Sequence, residues 1–437
     1  MNGLDIVMVI AIILFARLGN MNTPTKTTIH PVKKESRISY LDILRGIAIF
    51  FIFSANIVYF SGYFDFPAEF ILTAAAFPFD THLDFIMYTL VDGKFYSIFS
   101  LLFGIGCAIQ YQNVTKHNRP FAPFFRRRMF WLLMFGLVHL LLFWLGDILT
   151  LYALLGFVLI WFVNFSDKKL IKIAIILILL PIANWIIINS VGWNYPGYFY
   201  NLNVEYNQNL GFAISEWEGI SMLNFVEYLK NDNLIDFFKM NIGNSIIRFA
   251  DILREGRAFK VLGIFLIGLW AGRKILNEKL LENKRFLKKV AIWGICIGLT
   301  VSIIRTSITF FSNHNDFWNF MHTLSYAFGT VPLALGYAAT LALLYKKKIY
   351  ALNWFAPVGK MALTNYLMQT FLAITIFYGI GFGFAGKFGF TIILCIALLI
   401  FAFQVLFSKW WLKSHKFGPM EWLWRQLTYG KIIKNNK

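Results

Sequence analysis

The segment LVHLLLFWLGDILTLYALLG, residues 137–156, is hydrocarbon apart from a histidine and an aspartate, His139 and Asp147. An imidazole can take up and release a proton near neutral pH, and a nearby carboxylate can fix its orientation or favour its protonated form. The pair therefore reads as a general base with an orienting partner. Each residue also has a structural reading. Asp147 follows a turn and starts a helix, where its carboxylate would cap free N–H groups. A neutral histidine can bridge two helices through hydrogen bonds.

Other polar groups interrupt apolar runs. His139 lies about eleven residues, or roughly 17 Å, from the basic end of its segment, and Ser100 and Gln369 fall near the same depth. Asn56 sits further along, toward Asp147. Such groups around a histidine could transfer protons if water reaches them, and would otherwise hold helices together. The stretch YLDILRG puts Asp42 and Arg45 on one helix face. They read either as a local ion pair or as part of a grip on a phosphate-bearing ligand, shared with Arg126, Arg127 and Arg128. A triple arginine at such a boundary also serves as a topology anchor.

These residues need elements that place them, and composition indicates the kind. Of 437 residues, 58% are hydrophobic, 19% aromatic and only 14% charged, with a mean hydropathy of +0.61. Apolar runs of about 18 residues or more recur, each long enough to cross a hydrocarbon core as a helix. The chain is read as an all-α integral membrane protein of about ten transmembrane helices, at 40–62, 94–112, 129–145, 147–164, 169–189, 258–276, 288–311, 318–345, 357–380 and 390–408. Met129 to Asn164 as one helix would be about 54 Å long, too long for one crossing, so Gly146–Asp147 is expected to be a tight turn.

Lysine and arginine fall in alternate loops, from Lys33, Lys34 and Arg37 through Arg126–Arg128 and Lys346–Lys348 to the tail, whereas the intervening loops are poor in base or acidic. Both termini are therefore expected in the cytoplasm and the long 191–256 loop outside, lying against the membrane as amphipathic helices. The net charge of +19 is spread over these short clusters, a topology signal and not a nucleic-acid footprint. Partners implied are the lipid bilayer and a small molecule or glycan. Cys107, Cys296 and Cys395 sit in separate apolar runs and offer neither a pairing nor a metal set. No HExxH, P-loop, GxSxG or dinucleotide fingerprint is present.

The organisation read from this is an N-terminal cytoplasmic segment 1–36, a five-helix half 37–190, the external loop 191–256, a second five-helix half 257–408 and a cytoplasmic tail 409–437. Within the first segment, IVMVIAIILFA is too short to span and has no basic region before it. Met21 offers an alternative start, and residues 1–20 are left out of the fold.

Five segments together resemble the YeiB-like family of bacterial membrane proteins: LDILRGIAIFFIFSANI (41–57), GKFYSIFSLLFGIG (93–106), RRRMFWLLMFGLVHLLLFWLGDILTLYALLG (126–156), VGKMALTNYLMQT (358–370) and FGPMEWLWRQLTYGK (417–431). The likeness covers about residues 37 to 431 and is most specific in the His-to-GDIL-to-Tyr segment and the GPMEWLWR ending. That family is in turn similar to multispan acyltransferases with a DxxRG-type opening, among them the membrane acetyltransferase that modifies heparan glucosamine and the bacterial glycan O-acetyltransferases. The resemblance implies a multi-pass protein of the bacterial cytoplasmic (inner) membrane, with an acyl-CoA donor inside and an acceptor, often a sugar, outside. It places Asp42 and Arg45 on the shared motif and makes His139 the best match for an essential histidine. In the heparan enzyme the catalytic histidine follows the first span, where this chain offers His82, ranked second.

The functional expectation is transfer of an acyl (acetyl) group from cytoplasmic acyl-CoA to an envelope sugar, lipid or small-molecule acceptor. His139 would be the base and Asp147 its partner, with a covalent acyl-histidine as a second route. Arg45 and Arg126–Arg128 would hold the donor phosphates, Asp42 would accompany Arg45, and Asn56, Ser100 and Gln369 would line the cavity. No bound cofactor and no metal are expected. The alternative is a transporter or carrier of a small metabolite that binds near mid-membrane. A third class is a scaffold that recruits envelope enzymes through the outer loop.

Overall fold

A computed structural model describes residues 38–66, 76–217, 219–313, 315–430 and 432–437, within one compact unit, Ile38–Lys437. The 1–36 segment lies outside the described residues. Helices make up nearly all of the unit: α1 Ser39–Phe60, α2 Asp80–Leu90, α3 Lys94–Lys116, α4 Phe121–Leu142, α5 Leu149–Leu159, α6 Asp167–Trp185, α7 Gly197–Asn209, α8 Phe225–Lys230, α9 Leu234–Arg254, α10 Arg257–Glu278, α11 Lys284–Phe311, α12 Asp316–Lys346, α13 Ala356–Lys360, α14 Ala362–Phe377, α15 Phe390–Ser414 and α16 Pro419–Tyr429.

Among the described residues, six helical stretches are long and apolar enough to cross a bilayer, by length and composition: Ser39–Phe60, Asp80–Lys116, Asp167–Ser190, Lys284–Phe311, Asp316–Lys346 and Phe390–Ser414. Leu149–Phe162 and Ala362–Phe377 are apolar but shorter. Composition does not mark α4 and α10 because Arg126–Arg128 lie within the one, and Arg257, Lys260, Arg273 and Lys274 within the other. The architecture is that of a largely helical, multi-pass membrane protein. Burial separates inner from outer helices: 61% and 67% for Ser39–Phe60 and Asp80–Lys116, but 22% for Asp167–Ser190 and Lys284–Phe311. On α11, Ile292, Trp293, Ile297, Ile303 and Ile304 point outward, an apolar surface suited to lipid.

The expected turn is present, since residues 143–148 leave helical geometry between α4 and α5. The span expected at 357–380 is broken at Met361 into α13 and α14. Residues 191–256 contain the helices α7, α8 and α9, of which α9 is strongly amphipathic, and also a short hairpin that helical periodicity did not anticipate. Its strands β1 Ile214–Trp217 and β2 Ile220–Leu223 pair Ile214 with Leu223 and Trp217 with Ile220, with Gly219 at φ 77° in the connection.

Helix α4 defines two ends of the bundle. Arg127 near its start bonds the tail helix α16, and beyond its end the Asp147 carbonyl accepts from Arg248 of α9. These ends are called the tail face and the loop face, and 22 residues of α4 separate them by about 33 Å.

At the tail face the LDILRG motif meets α13. A Cβ on Gly46 would fall 2.1 Å from the Phe355 carbonyl oxygen, and one on Gly359 would fall 1.8 Å from that of Asp42. The two backbones touch, and only glycine fits. Arg45 closes the corner by donating to Asp42 Oδ1 at 3.1 Å and the Gly359 carbonyl at 3.3 Å. Gly359→Ala is expected to force this junction apart and destabilise the protein by about 1–3 kcal/mol, as overpacking does. The thermal midpoint in detergent checks it; an unchanged midpoint would show a junction that yields freely.

Helices α3 and α10 also pack at backbone distance, and they run parallel. A Cβ on Gly268 would meet the Leu101 carbonyl oxygen at 2.3 Å, and one on Gly272 would meet Ile105 Cα at 3.0 Å. This register carries Lys94 of α3 and Lys260 of α10 to one height near the loop face.

Candidate functional site

His139 sits in the last turn of α4, and the chain reverses just beyond it. Its carbonyl accepts from the amides of Phe143 and Trp144 at 3.0 and 2.9 Å, which ends the helix and brings Asp147 back alongside the ring. Asp147 then acts with both oxygens. Oδ1 is 2.9 Å from His139 Nδ1, while Oδ2 accepts from the Thr150 amide at 2.7 Å and caps the start of α5. Cap and orienting carboxylate, alternatives on sequence grounds, are one group here. Packing holds the hairpin closed, because Gly136 leaves room for Thr150 directly behind it.

On the far side of the ring, Nε2 is 2.9 Å from Thr370 Oγ1, and the Tyr366 ring lies 5.1 Å from the imidazole, centroid to centroid. With Nδ1–H donating to the carboxylate, Nε2 presents its lone pair, and the Thr370 hydroxyl donates to it. His139, Asp147 and Thr370 are only 2%, 2% and 3% exposed, so the line carboxylate–imidazole–hydroxyl is shielded from water. Such an arrangement can draw a proton from a hydroxyl toward Nε2.

Helix α14 places Thr370 by using two faces. Asn365 and Gln369, four apart, face α15: Asn365 donates to Ser408 at 3.0 Å, Gln369 donates to Gln404 at 2.9 Å, and Gln404 donates back to the Asn365 carbonyl at 2.8 Å. Tyr366 and Thr370, also four apart, face His139. Gln369 is therefore at the expected depth but turned to α15. Ser100 is bound to Tyr152 at 2.6 Å and to the Tyr96 carbonyl. Asn56 is half-buried on α1, and His82 is exposed on α2. The structure brings His139 and Asp147 together with Thr370, Tyr366 and Arg248, three residues that the sequence reading did not select.

Arg248 donates to the Asp147 carbonyl at 3.3 Å and lies within reach of the fields of Asp251, Glu255 and Arg257. Burial pushes the Asp251 carboxyl up, against the opposing hydrogen bond from Tyr200. Burial works the same way on Glu255, but the Arg257 and Arg248 guanidiniums outweigh it and hold that carboxyl below the usual range.

At the tail face the arginines are engaged with the C-terminal helix. Arg127 Nε donates to the Leu427 carbonyl at 2.8 Å; Arg128 stacks 3.6 Å over the Trp424 ring, whose indole N–H donates to the Arg128 carbonyl at 3.0 Å. Arg126 is exposed, and Arg45, Arg128 and Arg425 share one electrostatic neighbourhood. The same C-terminal helix supplies Glu421, which accepts from the amides of Leu363 and Thr364 at 2.6 and 3.1 Å and from the Thr364 hydroxyl at 2.6 Å. It thereby caps α14, the helix that carries Thr370.

Known proteins match this chain over most of its length. A family model described as "Protein of unknown function (DUF418)" matches residues 271–431, the stretch from α10 to α16. "Uncharacterized protein YxaH" of Bacillus subtilis (strain 168) is 30% identical over 413 residues, covering 92% of this chain and 97% of that protein. "Uncharacterized protein YeiB" of Escherichia coli (strain K12) is 27% identical over 403 residues, covering 89% and 95%. By these matches, which cover about nine-tenths of the chain, the protein belongs to the YeiB-like, DUF418 family.

Proposed function

We propose that the protein is a membrane acyltransferase-like enzyme of the bacterial cytoplasmic membrane, moving an acyl group from acyl-CoA to an envelope sugar, lipid or small-molecule acceptor. The observation that carries this reading is the line from Asp147 Oδ1 through His139 to Thr370 Oγ1, with both contacts at 2.9 Å. In the reaction an acceptor hydroxyl or amine takes the place of the Thr370 hydroxyl and gives its proton to Nε2 as it attacks the thioester carbonyl. The carbon–sulfur bond breaks, and the departing thiolate receives the proton that the imidazole took up. Asp147 keeps the ring in the productive tautomer and stabilises the imidazolium.

Arg45 and Arg126, with Arg127 and Arg128 beside them, would meet the donor phosphates at the tail face. Arg128 lies eleven residues before His139, so an extended thioester arm has about 17 Å to bridge. This requires ten crossings, both termini in the cytoplasm and residues 191–256 outside. Reporters fused after Lys437 and after Lys347 are expected to read cytoplasmic, and one inserted at Tyr206 external; a cytoplasmic Tyr206 reporter would mean that the crossings are miscounted by an odd number.

The direct test is incubation of purified protein with labelled acetyl-CoA and envelope extract, with transfer of label to a lipid or sugar as the expected result. A carrier of a small anionic metabolite is the second reading, favoured by the cationic side chains Lys94, Lys260 and Arg305 buried near the loop face. Metabolite uptake by proteoliposomes, without label transfer and unaffected by His139→Gln, would replace the enzyme by the carrier.

A further inference from the structure

A second group of charges lies at the loop-face ends of α3, α10 and α11, apart from the contacts of His139. Its scaffold is three tyrosines. The hydroxyls of Tyr96 and Tyr326 bond one another, and Arg305 donates to the Tyr88 hydroxyl at 2.7 Å while its guanidinium lies 4.6 and 4.8 Å from the ring centroids of Tyr88 and Tyr326. Lys260 Nζ is 3.1 Å from the Tyr326 ring centroid, Arg257 stands 6.0 Å from that of Tyr96, and Lys94 Nζ donates to the Tyr88 carbonyl at 3.2 Å. Lys94, Arg257, Lys260 and Arg305 thus occupy one neighbourhood.

Two carboxylates serve these four cations. Asp92 pairs with Arg305 at 2.8 Å, and Glu255 holds Arg257 through both oxygens, at 2.6 and 2.7 Å. The lysines have no such partner among the described residues. Lys94 donates to the Tyr88 carbonyl, and Lys260 to the Tyr326 carbonyl at 2.9 Å and the Thr330 hydroxyl, all neutral acceptors. Both lysines are 0% exposed, and an unpaired ammonium so placed costs several kcal/mol by order of magnitude. Buried charges are ordinarily paired.

The group nevertheless has an accessible side. Tyr59, which lies in the fields of Asp92, Arg257 and Glu255, is 57% exposed, and the side chains of Asp92, Glu255 and Arg257 retain 36%, 33% and 20% of their surface. We infer that this opening beside Tyr59 and Arg257 admits a phosphate monoester, whose two negative charges compensate Lys94 and Lys260. A single carboxylate would leave one lysine uncompensated, whereas a phosphate monoester brings close to two charges and three acceptor oxygens. Binding there requires both ammoniums to turn from their present acceptors toward the ester. The ligand is a free phosphate ester or a phosphatidic-acid head group, and the site stands independently of the acyl-transfer reading.

The test uses the full-length protein. In detergent, inorganic phosphate is titrated by calorimetry and by thermal unfolding, with chloride at equal ionic strength as reference. In a second arm, nanodiscs of phosphatidylcholine alone are compared with nanodiscs containing phosphatidic acid. Phosphate is expected to raise the midpoint of the native protein and chloride to leave it unchanged. Lys94→Met and Lys260→Met are expected to weaken phosphate binding about tenfold or more, the loss of a charge-assisted hydrogen bond, while ligand-free stability stays the same or rises. A stronger response to phosphatidic acid identifies a lipid head group, and a stronger response to free phosphate a soluble ester. Native protein that responds to neither, or variants that bind as the native protein does, would overturn the inference. Should a variant fail to fold, the titration of the native protein decides alone.

Discussion

His139→Gln is expected to lower label transfer from acetyl-CoA by about 10²–10⁴-fold, the usual contribution of a positioned general base. Glutamine can keep a hydrogen bond to Asp147 or to Thr370, but it cannot take up a proton near neutral pH. The fold should therefore survive while the rate does not. Asp147→Asn separates the two duties of that residue. Its amide oxygen can still accept from the Thr150 amide, which Oδ2 now does at 2.7 Å, but the NH2 group then faces His139 Nδ1. The ring must accept there, which moves the proton to Nε2 and removes the lone pair that the acceptor needs. A loss close to that of His139→Gln is expected, with the thermal midpoint little changed. Thr370→Val, which removes a hydroxyl that the acceptor itself would displace, should cost less, and Thr370→Ser should restore what is lost. Full transfer by His139→Gln at an unchanged midpoint would end the proposal that His139 is the base.

The height of these residues along their helices was legible, because rise per residue is fixed in a helix, and Thr370, next to Gln369, does meet His139. Their direction around the helix was not legible. Gln369 and Thr370 differ by about 100° of rotation, and depth alone selects the amide that faces α15 over the hydroxyl that faces His139. The four-residue repeats Asn365–Gln369 and Tyr366–Thr370 are visible in the sequence, but which pair meets which neighbour is decided by α4 and α15. Asp147 shows the limit of choosing between roles, since a carboxylate has two oxygens and the chain reversal supplies a donor for each.

Long apolar helices could be read from hydropathy because a bilayer imposes length and apolarity on each one independently. Long-range uses of charge could not. Arg127 and Arg128 look like anchors of a boundary, and their stacking and bonding to α16 depends on residues about 300 positions away. Lys260 and Arg305 did carry a signal, a cation inside the runs RAFKVLGIFLIG and SIIRTSITFF. Neither residue was selected, and the parallel packing of α3 against α10 is what joins Lys260 to Lys94. The β1–β2 hairpin was missed for a local reason. ISEW runs apolar–polar–polar–apolar, without the period-two alternation of a half-buried strand, and the helical pattern on either side dominates a window of ordinary length.

Glu421→Ala is expected to be the most destabilising single change in the tail, although it lies far along the chain from His139. Helix α14 begins abruptly after the break at Met361, and its first N–H groups point into the protein, where water does not satisfy them. Glu421 meets the amides of Leu363 and Thr364 and the Thr364 hydroxyl, and the Thr364 hydroxyl in turn accepts from the Met420 amide at 3.1 Å. Removing the carboxylate strands those donors, at about 1–3 kcal/mol for each one left buried, whereas a surface substitution would stay within about 0.5 kcal/mol. Glu421→Gln keeps one acceptor but turns an NH2 group toward the remaining donors, so it should fall between alanine and the native protein. Because α14 carries Thr370 and Tyr366 against His139, loosening its first turn is also expected to reduce label transfer in proportion to stability, unlike His139→Gln, which removes transfer alone. Thermal unfolding and transfer rate measured on the same preparations distinguish the two patterns. A midpoint for Glu421→Ala equal to that of the native protein would show that the tail helix merely rests against the bundle and does not organise it.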